Sequence, residues 1–273
     1  MMSRMRRPSV QWLARAGYAA RGVVFLILGY FTATAAFGLR TRPVDSKDAL
    51  ESLLLQPLGS ILLLGITAGL LCFGVWRELQ CFVDVDSFGS DLKGLGRRAV
   101  YAAAGLFYVG FASVSLSMVI GIHTGKTERA VHDWTALLLA QPFGRIGVGI
   151  VGCSIIVGAL CIGVAGVRAE FSDRIALKGK QRRWVVGLGV IGYLTRGAVF
   201  SVIGLYLVFA ALDANAHEAA GLAGALTIVK RQAYGRVLLG AAAIGFLAFG
   251  LYGIAETFFR RVGGRNPITG PSA

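Results

Sequence analysis

Six uninterrupted apolar runs decide what this chain can fold into: Gly22 to Leu39, Leu58 to Trp76, Ala99 to Ile122, Ile146 to Val167, Trp184 to Leu212 and Val237 to Ala255. Five of them hold no Asp, Glu, Lys or Arg, and the Trp184–Leu212 run holds only Arg196. Each reaches about the 18 to 20 residues that cross a hydrocarbon core roughly 30 Å thick. Inside lipid a backbone must satisfy its own hydrogen bonds, so each run reads as a helix. The expected class is an all-α integral membrane protein with six transmembrane helices. Composition agrees: 55% of the 273 residues are hydrophobic, 15% are charged, and the mean hydropathy is +0.66. A soluble domain carries about a quarter charged residues.

The first run has a rival reading. Arg4, Arg6 and Arg7 ahead of it and the small residues of TATAAF after it mimic a secretory signal peptide. An internal repeat argues for a retained helix. AGYAARGVVF, Ala16 to Phe25, returns as IGYLTRGAVF, Ile191 to Phe200, deep in the chain. Tyr18, Tyr101 and Tyr193 align, as do Gly22, Gly105 and Gly197, with Ala104 standing where Arg21 and Arg196 stand. A second motif heads the even-numbered runs: LLLQPLG, LLLAQPFGR and VKRQAYGR bring Gln56, Gln141 and Gln232 into register, with Ala233 in place of Pro57 and Pro142. The chain reads as a single membrane domain, 1–273, made of three copies of one helical hairpin at 13–88, 95–173 and 187–261.

Three tandem two-helix units, with GYxxRG heading the first helix and QPFGR heading the second, resemble a bacterial membrane family catalogued as domain of unknown function twelve-oh-six. The resemblance implies an integral membrane protein with no established activity, and it brings no catalytic residue.

Charge sets the expected orientation. Of the 28 Lys and Arg, 19 fall on the side of the two termini and 9 on the other, so both termini are expected in the cytoplasm, and the cell membrane is the expected location. The net charge of +14 flanks apolar runs instead of forming one stripe, which speaks against nucleic acid and for anionic headgroups, above all along RAEFSDRIALKGKQRRW, Arg168 to Trp184. The outer connections hold apolar pieces beginning at Asp48, His132 and Ala219, each expected as a short interfacial helix, with Asp45 or Ser46 and Asp133 as N-caps. Pro57 and Pro142 are expected in the first turn of the following helices.

Candidate functional residues follow from the same repeat. Small residues at Gly22, Gly29, Gly105, Gly197 and Gly204, with Gly65-x-x-x-Gly69, form seams suited to close helix packing. Arg21 and Arg196 read either as anchors that snorkel to the inner headgroups or as a polar site facing the bundle. Glu78, Glu170 and Glu256 end the even helices on the same inner side, where they read either as Arg–Glu pairs closing each hairpin, with Arg196–Glu256 the leading candidate, or as solvated interface charges. Gln56, Gln141 and Gln232 read as helix-start caps or as an outer ring. His123 and His132, with Glu128 and Asp133 nearby, match no known ligand spacing, so no metal site is expected, and none of Cys72, Cys81, Cys153 and Cys161 forms a CxxC. GLGVIG at Gly187 to Gly192 has no strand before it and is no dinucleotide loop.

These features leave a non-enzymatic scaffold, subunit or lipid- or partner-binding protein as the leading expectation, with a small-solute or ion transporter as the alternative. No cofactor is expected. Partners are expected to be anionic lipid and another membrane protein or a second copy of the chain.

Overall fold

A computed structural model describes residues 8–39, 43–54, 56–83, 91–121, 127–177 and 179–259. The repeat ends proposed at 88 and 261, and His123, lie outside the described residues. The helices in chain order are α1 (Pro8–Ala36), α2 (Ser46–Leu54), α3 (Gly59–Phe82), α4 (Leu92–Val119), α5 (Thr127–Leu139), α6 (Gly144–Val167), α7 (Gly179–Leu212), α8 (Leu222–Lys230) and α9 (Gly235–Phe259). The odd-repeat helices α1, α4 and α7 and the even-repeat helices α3, α6 and α9 are all long and apolar enough to cross a membrane. The chain is a multi-pass, all-α membrane protein. The short α2, α5 and α8 fill the three outer connections.

The second motif builds a tight turn between each short helix and the next long one. In the first two repeats the Gly59 and Gly144 N–H groups donate to the Gln56 and Gln141 carbonyls, both at 2.9 Å. Leu58 and Phe143 take positive φ at 62° and 65° inside these turns. Proline suits the second position of such a turn. Pro57 and Pro142 therefore lie in the turn and not in the first helical turn, because α3 and α6 begin only at Gly59 and Gly144. The glycine is obligatory for another reason: a Cβ at Gly59, Gly144 or Gly235 would collide with the carbonyl of Leu53, Leu138 or Lys230. Asp45 caps α2, accepting from the Asp48 N–H at 2.8 Å. Asp133 is no cap, since α5 starts six residues earlier, at Thr127.

Helix order around the bundle follows the chain: α1, α3, α4, α6, α7, α9, and back to α1. The closest packing is between repeats, at α3–α4, α6–α7 and α9–α1. Glycine explains it. A Cβ at Gly22 would lie 2.8 Å from the Gly250 carbonyl oxygen, one at Gly74 would lie 3.1 Å from that of Gly105, and one at Gly197 would lie 3.2 Å from the Gly163 nitrogen. These are three equivalent places where only hydrogen lets two backbones meet. Gly29 and Gly204 extend the seams against Leu247 and Gly152. Gly69 packs against Ala20 and Ala16 of α1, whereas Gly65 faces open space, so the expected Gly65–Gly69 pair contributes one residue to packing and not two.

Packing within a repeat is not uniform. In the first repeat Gly17 sits on Phe73, and in the third Gly192 sits on Phe249, where an added Cβ would stand 2.6 and 2.7 Å from the phenylalanine Cα. The second repeat has Val100 at that position. Val24 and Val199, buried in repeats one and three, correspond to Phe107, which is 65% exposed. Across from them Gly158, standing where Phe73 and Phe249 stand in the other two repeats, meets nothing within 4 Å. Among the described residues α4 and α6 are not packed along each other, so the ring is open on the side of the second repeat.

Candidate functional site

The inner half of the bundle holds a ladder of cations and aromatic rings. Its geometry starts from the Phe-Gly pairs Phe73-Gly74 and Phe249-Gly250, which bring α3 and α9 against their neighbours and aim both rings inward. The Arg77 guanidinium lies over Tyr101 at 4.7 Å and Phe73 at 4.8 Å. Arg21 lies over Phe73 and Tyr18, each at 5.1 Å, and over Phe249 at 4.9 Å. Arg196 lies over Phe249 at 4.6 Å and over Phe25 and Phe200, each at 5.4 Å. Three guanidiniums thus share two phenylalanine rings across α3, α1, α9 and α7. Such contacts are worth about 2 kcal/mol or more where the cation is desolvated.

Among the described residues one carboxylate forms an ion pair with the ladder. Glu256, buried on α9, forms an ion pair with buried Arg21. The expected partner was Arg196 of the same hairpin. The partner is Arg21 because α9 packs most closely on α1, where the third repeat meets the first. The acids are also not equivalent. In the Phe-Gly register Glu256 corresponds to Gln80, which is fully buried and accepts from Arg77 Nη1 at 2.9 Å. Glu78 lies two residues earlier, with its carboxylate against Gly105. Glu170 is exposed, 3.9 Å from Arg168, and joins no buried pair.

Arg196 and Arg21 both lie over Phe249 and both have an enclosed Nε without an acceptor, but they differ in burial and pairing. Arg21 is 3% exposed and paired, while Arg196 is half-buried. Among the described residues Arg196 has no carboxylate partner, and its enclosed Nε has no hydrogen-bond acceptor. The phenols of Tyr108 and Tyr193 and the charges of Arg21 and Arg77 lie within electrostatic reach of it. Rising 1.5 Å per residue, α7 places Arg196 roughly 24 Å below its outer end at Leu212, and α1 places Arg21 roughly 22 Å below Ala36. Both therefore sit at about the same level of the bundle. Below them Phe171, tucked in from the basic connection, stacks on Tyr193 at 4.9 Å and meets Tyr252 at 5.0 Å. Of the two readings of Arg196, anchor or inward-facing polar site, this geometry has the guanidinium turned into the bundle above an aromatic floor.

The other candidates fall elsewhere. The side chains of Gln56, Gln141 and Gln232 are exposed, and α3 and α6 show no side-chain cap, so these residues contribute backbone carbonyls to the outer turns. His132 and His217 meet edge to face at 5.6 Å in the outer connections, and no group of three metal-ligating side chains occurs among the described residues. The sequence reading missed Arg77, Phe73 and Phe249. Arg77 sits at the end of an apolar run, where it looks like flanking charge. The repeated Phe-Gly pair was the signal that would have placed it.

The comparisons bear on the whole of this frame. A family model described as Domain of Unknown Function (DUF1206) matches three times, over residues 16–84, 99–169 and 191–260. A Bacillus subtilis (strain 168) protein named "Uncharacterized protein YxxB" is 31% identical over 267 residues, covering 96% of each chain. No solved structure matches. The matched segments begin just before each odd-helix tyrosine and end beyond each Phe-Gly register, so they enclose the ladder and the glycine seams together, and the chain belongs to the DUF1206 family.

Proposed function

We propose that this is a non-enzymatic binding protein of the cell membrane, with both termini in the cytoplasm and its basic inner side engaging anionic lipid. One observation carries the reading: the side that holds 19 of the 28 Lys and Arg includes the three-guanidinium ladder of Arg21, Arg77 and Arg196, with one ion-paired carboxylate among the described residues. The connection from Arg168 to Trp184 supports it. This segment is docked by Phe171 and Ile175 into the aromatic cluster of α7 and α9, and by the Ala176 N–H on the Phe259 carbonyl at 2.8 Å. Basic side chains on a docked segment present a fixed surface to headgroups, each worth about 1 kcal/mol there.

The test compares thermal unfolding of the full chain in nanodiscs of phosphatidylcholine alone and with added phosphatidylglycerol. The expected result is a higher midpoint with the anionic lipid, and a smaller gain after Lys180, Arg182 and Arg183 are changed to Gln. Equal midpoints in both lipids would remove the reading. A transporter draws on the open side of the second repeat. Rocking would have to break the glycine contacts at three equivalent interfaces, which counts against it. Reporter fusions at both ends test the orientation.

A further inference from the structure

We infer that Arg196 is the seat of an oxyanion, a phosphate or carboxylate held within the bundle. The inference rests on the binding role proposed above and gives it a site. Arginine carries five N–H donors and does not lose its charge in proteins. Stacking on Phe249, Phe25 and Phe200 stabilises the positive face, but a ring accepts none of the in-plane N–H groups as an oxygen does. Its equivalent, Arg21, meets this need with Glu256. Arg196 has no carboxylate partner among the described residues, and its enclosed Nε lacks an acceptor, as do those of Arg21 and Arg77. Arg21 shares the Phe249 ring with it, which brings two cations together. An uncompensated cation is costly inside a membrane span.

The surroundings also favour an anion. The Tyr108 and Tyr193 rings, from α4 and α7, stand 4.6 Å from Phe73 and 5.5 Å from Phe249, the two rings the guanidiniums share, and a phenol can donate O–H. Position 104, where the repeat places arginine in the other two units, is Ala104, so α4 brings no third guanidinium to crowd the centre. The same repeat is the open one, and Arg196 retains accessible surface where Arg21 has almost none. The aromatic floor of Phe171, Tyr193 and Tyr252 covers the inner side. The open second repeat is therefore the approach from the bilayer.

The experiment measures ligand-dependent thermal stability and retained lipid on the full chain and on Arg196→Gln. In one arm the protein sits in phosphatidylcholine nanodiscs with and without phosphatidylglycerol, and lipid retained after delipidating washes is counted by native mass spectrometry. In the other arm it sits in neutral detergent with inorganic phosphate or succinate. The expected result is a response to the anion in at least one arm that falls at least tenfold in affinity in Arg196→Gln. Loss in the lipid arm identifies a headgroup, and loss in the second identifies a soluble anion. An identical response of both proteins in both arms overturns the site. Should Arg196→Gln not fold, Tyr108→Phe and Arg196→Lys take its place: each is expected to weaken the same response, and unchanged affinity in both overturns the site. The Lys180, Arg182 and Arg183 variant separates the two readings, because it lowers the headgroup effect at the surface and leaves retention at Arg196 intact.

Discussion

The second repeat and its two companions share a motif, a length and a pair of helices, yet only the companions close. Repeats one and three bring odd and even helices together at Gly17–Phe73 and Gly192–Phe249, and both carry an arginine into the core. Repeat two has Val100, Ala104 and Phe107 at the corresponding places and stays open between α4 and α6. The glycines that join one repeat to the next are kept in all three units. The bundle is therefore built from its inter-repeat seams, and the inside of each hairpin is free to diverge. Divergence there concentrates charge on one side of the ring and an opening on the other.

The sharpest test of this contrast sets Glu256 against Glu170. Glu256→Gln leaves buried Arg21 without its carboxylate, and removing one partner of a buried pair costs about 3–5 kcal/mol. Glu170→Gln, at an exposed pair, should change stability by less than about 0.5 kcal/mol. Thermal or denaturant unfolding in mild detergent measures both. Similar losses for the two variants would mean that the acids play equivalent parts and that the pairing assigned here is wrong.

A second test copies the open repeat into a closed one. Gly192→Val places methyl groups where the Phe249 backbone already lies, so α7 and α9 must separate or strain. Overpacking of this kind costs about 1–3 kcal/mol, and more where backbone blocks relaxation. Because Phe249 bridges Arg21 and Arg196, the loss should also weaken the anion response of the third repeat. An unfolding midpoint equal to that of the natural chain would show that glycine is not what closes the hairpin.

These contrasts mark how far the sequence could be read. Six spans, three repeats and three short outer helices follow from runs of apolar residues and from two motifs, because lipid allows few alternatives to a helix. The pairing of Glu256 does not follow, since Arg21 and Arg196 have the same local motif, and only the cyclic order of the helices puts α9 against α1. A hairpin closest in sequence is not closest in space here. The open repeat was visible in part, as Ala104 in place of arginine. Its cause, Val100 and Phe107 in place of Gly17 and Val24, needed the packed partners Phe73 and Phe249 to give those positions meaning.

A third test asks for opposite signs at two even-helix glycines, one in a closed hairpin and one in the open repeat. Gly69→Ala drives a Cβ into Ala20 and should destabilise by about 1–3 kcal/mol. Gly158→Ala enters open space and should gain up to about 1 kcal/mol from helix propensity alone. Unfolding midpoints that move in the same direction would contradict the asymmetry.

The smallest expected effect on stability tests the geometry most directly. In a chain with Cys72, Cys81, Cys153 and Cys161 replaced by serine or alanine, Ala20→Cys with Gly69→Cys should oxidise readily, because those backbones touch. The matching pair in the second repeat, Ala103→Cys with Ser154→Cys, should not, since a disulfide needs Cα atoms within about 7 Å. Adding Val100→Gly, Phe107→Val and Gly158→Phe restores the residues with which the first repeat closes, and cross-linking of the second pair should then rise. The shift in stability should stay within about 1 kcal/mol, as the exposed Phe107 gives up few protein contacts. If the second pair cross-links as fast as the first without those changes, α4 and α6 already meet, and the opening that leads to Arg196 does not exist in the membrane.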